Sequence, residues 1–348
     1  MISRHPNLRA RAADPAGRAS PAWRTVCSHV PREIADALGL ATARMIPPGT
    51  VASESRGEAL SGAGACAWCK SGLGSGEADH RWIGAATCDQ MRRALELAGR
   101  TSGREALVIH APKTRSPEAE DYFVAEIRWL AGELEKAAGG RLDADELRRA
   151  IAVRNGIRAR LRLLREGLTG ADFSALVFLE ARLPAGEMSV FLASFSPVPF
   201  PAAGVPVLLA GSPLAPGDWP WLDELEEMGL PVVADATCTG DRAIDFTIEA
   251  PAREDPLESL ARGYFRRPPC PFVRPNDEFY AYASDLARRR GARGVVWRSL
   301  RGCDIHALEP PRAERLLGLP LLSLDMSCGD ASSPRVRTRV EAFAEGLR

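Results

Sequence analysis

The residues of this chain best suited to chemistry are its eight cysteines, and their spacing limits what they can do. Cys66 and Cys69 form a CxxC pair inside a stretch rich in Gly, Ser and Ala, Pro47 to Gly76, which reads as loop. A zinc ribbon needs two such pairs, and only one is present. A thioredoxin-type redox pair belongs between a strand and a helix, whereas these flanks suit a loop wrapped around a cluster. Cys88, Cys238 and Cys303 each follow a short apolar run: WIGAAT, VVADAT and VVWRSLRG. Thiolates are the ligands of soft metals and of iron–sulfur clusters, and cysteines at strand ends on one side of a sheet can converge from distant segments. A free cysteine is equally an ordinary small buried hydrophobe, so spacing alone leaves both readings open. His80, His110 and His306 form no ligand set and read as solvated or capping residues.

The elements that must position these residues follow an α/β rhythm. Trp82 to Cys88 reads as a strand ending at its cysteine, Asp89 to Ala98 as a helix, and Glu105 to His110 as a second strand stopped by Pro112. From Ser116 to Leu168 the period becomes helical, broken at Gly139-Gly140, with Asp143 and Glu146 spaced as a capping box. A further helix is expected over Asp172 to Arg182, then a Pro-rich connector, Pro197 to Pro206. The second half alternates again. Strands are expected at Pro206–Ala210, Pro231–Asp235, Gly294–Arg298 and Pro320–Leu324, with helices at Trp219–Met228, Glu278–Arg290, Pro311–Leu317 and Arg335–Leu347. The fold class is therefore α/β, with parallel sheets covered on both faces and ligands beyond the carboxyl ends of the strands.

Length and charge narrow the function. A chain of 348 residues is long enough for about two domains. Its 45 basic and 45 acidic residues cancel, which argues against electrostatic capture of nucleic acid or an anionic membrane surface. No apolar run is long enough to span a bilayer, and the Arg-rich N-terminus lacks a secretory apolar core. A cytoplasmic location and free thiols are expected. No GxGxxG or GxxxxGKS fingerprint occurs, so no nucleotide site is read here. The organisation expected is a loose arm over 1–22, an α/β domain over 23–112, a helical segment over 113–200 and a second α/β domain over 201–348.

Ten strings now stand in one order: TVCSHVPREI from Thr25, CxxxKS from Cys66, TCDQMRR from Thr87, PKTRSPEAEDYF from Pro112, LLAGSPL from Leu208, VVADATCTGDR from Val232, DPLESLARGYF from Asp255, PCP from Pro269, GCD from Gly302 and TRVEAFAEGL from Thr338. Together they resemble the 2-hydroxyacyl-CoA dehydratase and benzoyl-CoA reductase family of iron–sulfur proteins. The resemblance implies two Rossmann-like parallel-sheet domains joined by a helical segment, and one 4Fe-4S cluster held by Cys66, Cys88 and Cys303 with one iron left open. It also implies a sister subunit in a heterodimer, or a second copy in a homodimer, an ATP-dependent iron–sulfur activator that delivers single electrons, and an acyl-CoA substrate. In such chemistry one electron added to the thioester carbonyl gives a ketyl radical that can expel the 2-hydroxyl; benzoyl-CoA reduction meets a similar low-potential problem.

Some positions depart from the family's pattern. Cys69 stands where the family carries a non-ligand, so it either joins Cys66 at the metal or packs beside it. A closed, four-ligand cluster, or a double-cubane as in some relatives, would favour electron transfer to small molecules without a CoA ester. Cys238 reads as structural or as part of an acyl-CoA channel, and Cys27, Cys270 and Cys328 read as non-ligands. Ser28 and His29 lie in a motif near the family's substrate side, where either side chain can hydrogen-bond a thioester or a leaving hydroxyl. Ser28 fits equally the cap of the helix that begins near Pro31. Arg92 and Arg93 read as solvated, with a CoA phosphate as the other choice.

Overall fold

The computed structural model describes residues 5–13, 23–76, 80–104, 106–198, 203–330 and 333–348. Its first element is α1 (Pro6–Ala13), a helix where the sequence suggests part of a loose arm. Leu8 and Ala12 are buried, and Arg9 bonds Asp172 at 2.6 Å and Asp223 at 2.5 Å. Both partners lie far along the chain, so no local pattern announces this contact. Residues 1–4 and 14–22 of the expected arm, and residues 199–202 of the Pro-rich connector, lie outside the described residues.

The next elements are β1 (Trp23–Val26), α2 (Arg32–Ala37), β2 (Thr42–Arg44), α3 (Val51–Ser61), α4 (Ala67–Leu73), β3 (Arg81–Ala85), α5 (Asp89–Ser102) and β4 (Leu107–Ile109). The four strands form one parallel sheet in the order β2-β1-β3-β4. Four helices follow: α6 (Pro117–Ala138), α7 (Ala144–Leu164), α8 (Gly170–Arg182) and α9 (Ala185–Ser194). Asp143 caps α7 as its spacing suggests, accepting from the N–H groups of Asp145 and Glu146 at 2.9 Å.

The second half contains β5 (Val207–Gly211), α10 (Trp219–Glu227), β6 (Val232–Asp235), α11 (Pro256–Arg266), α12 (Asp277–Arg289), β7 (Gly294–Leu300), α13 (Asp304–Leu308), α14 (Pro310–Leu317), β8 (Leu321–Met326) and α15 (Pro334–Leu347). Its strands form a second parallel sheet in the order β6-β5-β7-β8. The two sheets thus share one topology, and in each the strand order reverses between the first and third strands. Such a reversal leaves a crevice at the carboxyl ends, where α/β proteins place ligands. The expected α/β class with parallel sheets is what the chain forms.

Pro47 to Gly76 differs from the expected loop, because it folds into α3 and α4. Thr50 caps α3 in a reciprocal box with Ser53, which overrides the weak propensity of the Ser- and Gly-rich sequence. The small residues serve packing instead. A Cβ on Gly57 would stand 1.7 Å from the Lys70 carbonyl oxygen, and one on Gly74 would stand 1.9 Å from that of Ser53, so only glycine lets the two helices approach this closely.

Buried polar groups tie the layers together. Glu33 of α2 is fully buried, accepting from Arg158 at 2.8 Å and from the Tyr264 hydroxyl at 2.8 Å. Glu226 of α10 accepts the Gly170 N–H at 2.7 Å, pinning the start of α8. Burial pushes the Glu226 carboxyl up to about 7. A carboxyl raised in the folded state holds a proton that the unfolded chain has already released, so this stability is fully present below about pH 4.5 and is lost as pH rises through about 7. Substituting Glu226→Gln should remove a loss on the order of 2–3 kcal/mol between those limits. Thermal melts at about pH 5 and about pH 8 check this: the wild-type Tm should fall relative to the variant at the higher pH, and parallel profiles would refute it.

Candidate functional site

The carboxyl ends of the two sheets face a single cleft, lined by residues that follow β1, β3, β5, β6 and β7. Seven of the eight cysteines line it: Cys66, Cys69, Cys88 and Cys303, together with Cys27, Cys238 and Cys270. Cys328 does not line it; its thiol is buried 3.7 Å from the Ala67 carbonyl oxygen. The lining contains Arg44 and Arg242 but, among the described residues, no Asp or Glu.

Cys66, Cys88 and Cys303 each occupy the residue just before a helix, at the starts of α4, α5 and α13. The Cys88 Sγ accepts the Met91 N–H at 3.4 Å. The Cys69 thiol donates to Cys66, and with the backbone N–H groups at the start of α4 it brings the Cys66 thiol down to about 7. Cys69, as donor to a neighbouring thiolate and fully buried, is pushed well above the ordinary thiol range. Burial, together with the other thiols of the cleft, raises Cys88 to about 11 and Cys303 to about 12. A bound cation reverses that order, since a coordinated thiol is deprotonated outright.

Backbone geometry brings these cysteines together. The Ala67 N–H donates to the Arg301 carbonyl at 2.9 Å, joining α4 to the turn after β7. Gly302 in that turn has φ +79°, and a Cβ there would stand 2.9 Å from the Cys66 Cα. Lys113 secures the turn before Cys88 by donating to the carbonyls of Ala86, at 3.2 Å, and Thr87.

Cys27 and Cys270, read from sequence as non-ligands, and Cys238, read as structural or part of a channel, line the same cleft, and Cys27 and Cys270 are close enough to Cys88 to raise its thiol. Cys27 directly follows β1 with φ +79°, a strained conformation for a residue bearing a side chain. Burial pushes its thiol up, and so do Cys238 and Cys270 beside it. Arg44 donates to the Cys238 carbonyl at 2.8 Å and to its Sγ at 3.5 Å. The signal that marks Cys88, a cysteine at a strand's carboxyl end, applies also to Cys27 and Cys238. It is hidden at Cys27 because β1 is only four residues long.

The remaining candidates divide. Ser28 does not cap α2: the residue before that helix is Pro31, with no side-chain cap, and the Ser28 Oγ is buried with no hydrogen-bond partner on the edge of the cleft. The His29 Nδ1 lies 3.5 Å from the Cys27 Sγ. Burial holds His29 neutral, well below its ordinary range, reinforced by Arg267, Arg242, Arg115 and Lys113. His306 is neither solvated nor a cap; it is buried in the cleft wall, and burial brings it down to about 3. His80 and His110 do not line the cleft. Arg92 and Arg93 are exposed on α5, and Arg92 pairs with Glu96 at 2.6 Å.

Among the described residues no three His, Cys, Asp or Glu side chains are placed to hold one metal ion. A cubane makes a different demand, because each of its thiolates binds a different iron at a separate corner. Thiols spread around a cleft that contains no carboxylate fit that demand and suit a soft metal centre.

Among curated proteins none matches the chain. Among solved structures, the SBP FpvC from Pseudomonas aeruginosa in complex with Mn2+ is 15% identical, with 94% of this chain and 96% of that chain covered at a TM-score of 0.22, a likeness too low to carry an argument. The family profile described as 2-hydroxyglutaryl-CoA dehydratase, D-component, matches residues 27–347, a span that contains all seven cysteines of the cleft and every strand of the two sheets except β1. With that span the chain belongs to the 2-hydroxyglutaryl-CoA dehydratase D-component family, as a dehydratase-type enzyme component.

Proposed function

We propose that this chain is the iron–sulfur subunit of its enzyme, with Cys66, Cys88 and Cys303 holding one cubane and Cys27, Cys238 and Cys270 holding a second beside it. The observation that carries this reading is the gathering of seven cysteines on one cleft at the carboxyl edges of two sheets. When bound, such a centre would supply single electrons at low potential and, at an iron that no cysteine ligates, a position for a substrate oxygen. With no nucleotide fingerprint in the chain, the electrons would come from a separate ATP-hydrolysing iron–sulfur activator, and the partner would be a sister subunit or a second copy. A cleft filled by both cubanes suits reduction of small molecules without a CoA ester.

A second reading rests on the family match and on Ser28 and His29. With one cubane on Cys66, Cys88 and Cys303, the other half of the cleft is left for the thioester of a 2-hydroxyacyl-CoA or a benzoyl-CoA-like ester. The free Ser28 hydroxyl can then donate to a substrate oxygen. The neutral His29 imidazole can accept a proton at Nε2, and Arg44 and Arg242 favour negative charge in a site without carboxylates.

Anaerobic purification with iron and acid-labile sulfide counts separates the two. About eight irons per chain is the expected result and supports the double centre. About four, retained in a Cys238→Ala variant, would refute it in favour of the second reading, and a 2-hydroxyacyl-CoA should then be dehydrated when activator and ATP are supplied. A chain that takes up no iron under reconstitution overturns both.

A further inference from the structure

The two thiol triads have unlike electrostatic surroundings. Three buried guanidinium groups stand against Cys27, Cys238 and Cys270. Arg44, 9% exposed, bonds the Cys238 carbonyl and Sγ. Arg242, 4% exposed, bonds Cys270 and is held in place by the carbonyls of Ala236 and Pro269, each at 3.1 Å. Arg267, 3% exposed, donates to the carbonyl of Ser28, next to Cys27, and to that of Arg242 at 2.9 Å.

Among the described residues no buried guanidinium stands against Cys66, Cys88 and Cys303; the cation nearest in chain contact, Lys113 beside Cys88, is exposed. The donors described there are backbone N–H groups and the Cys69 thiol, and among the described residues Arg44 and Arg242 are the Lys or Arg side chains in the cleft lining. Lys70, although next to Cys69, pairs with Glu58 at 2.8 Å. Lys113 reaches the carbonyls of Ala86 and Thr87.

We propose that this asymmetry directs electrons within the cleft: Arg44, Arg242 and Arg267 are positioning residues that hold the group on the Cys27–Cys238–Cys270 triad at the higher potential. Taking up an electron makes a cluster more negative, and fixed positive charges in a water-poor interior stabilise that form more than the oxidised one. The activator proposed above loses one electron and the centre gains it, with no bond made or broken in the transfer. The electron comes to rest on the arginine-lined side. The inference rests on the two-triad reading of the preceding subsection.

The test is an anaerobic redox titration followed by electron paramagnetic resonance, on wild type, Arg44→Met, Arg44→Lys and Arg267→Met, with iron counted in each. In Arg44→Met the higher of two one-electron steps should fall by a factor of ten in its equilibrium constant, about 59 mV, while the lower step moves little. Arg44→Lys should recover most of the shift, because it restores the charge. Arg267 donates to backbone carbonyls, so Arg267→Met gives the same comparison should Arg44→Met lose iron. Equal shifts of both steps, or none in either methionine variant at full iron content, would overturn the inference while leaving the two-triad reading standing. A single step with about four irons in wild type would overturn both.

Discussion

Replacing Cys88 with alanine should strip the first triad of its metal, with iron falling by about four per chain and enzymatic turnover lost together with it. The expectation follows from position. Cys88 ends the turn after β3 at the switch point of the first sheet, and Lys113 holds that turn through the carbonyls of Ala86 and Thr87. Among the cleft's thiols Cys69 is the nearest to a substitute. It is buried behind Cys66 as a hydrogen-bond donor, and its own thiolate is disfavoured by burial and by the thiols around it. Cys69→Ala should therefore leave the iron content unchanged. Iron counts and the visible charge-transfer absorption of both variants, purified anaerobically, decide the matter. A Cys88→Ala protein with full iron and turnover would remove Cys88 from the ligand set, and loss of iron in Cys69→Ala would add Cys69 to it.

The largest loss of stability should come from Asp218→Ala. Asp218 and Arg298 form a pair at 2.7 Å with both side chains 2% exposed, and Arg298 also donates to the Pro213 carbonyl at 2.5 Å. Burial pushes the Asp218 carboxyl up even though Arg298 draws it down, so desolvation of the pair is a real cost. Removing one partner leaves the other charge buried without compensation, which typically costs about 3–5 kcal/mol. Urea unfolding of the iron-free protein measures it. The double variant Asp218→Leu with Arg298→Met should recover much of the loss, because an apolar pair carries no unpaired charge. If the single variant loses less than about 1 kcal/mol, the pair is not a structural tie. Pro213 lines the cleft beyond β5, so loosening Arg298 should also slow iron uptake.

Much of the fold is legible in the sequence because local period and end signals are local physics. The strands of the second sheet, helix α5 after Cys88, the long α6 and the Asp143 cap of α7 all lie within a few residues of where their patterns place them. The elements that escape are those whose stability comes from elsewhere. α1 is fixed by Arg9 reaching Asp172 and Asp223, and α3 and α4 look like loop because their glycines serve close contact between helices. β1 and β2 are four and three residues long, too short to show a period, yet β1 places Cys27 and β2 places Arg44.

The site divides in the same way. The sequence by itself determined the α/β class, the strand-end placement of Cys88, Cys238 and Cys303, and the family resemblance that singles out Cys66, Cys88 and Cys303. Only the tertiary structure decided that Cys27, Cys238 and Cys270 share a cleft with them, that three buried arginines face one triad alone, and that Ser28 points its hydroxyl away from any cap. The reason is one of range. Period and capping act over a few residues, whereas the meeting of two sheet edges depends on helices and on contacts between segments more than a hundred residues apart, such as the ion pair of Arg158 with Glu33 and the hydrogen bond of Arg44 to Cys238.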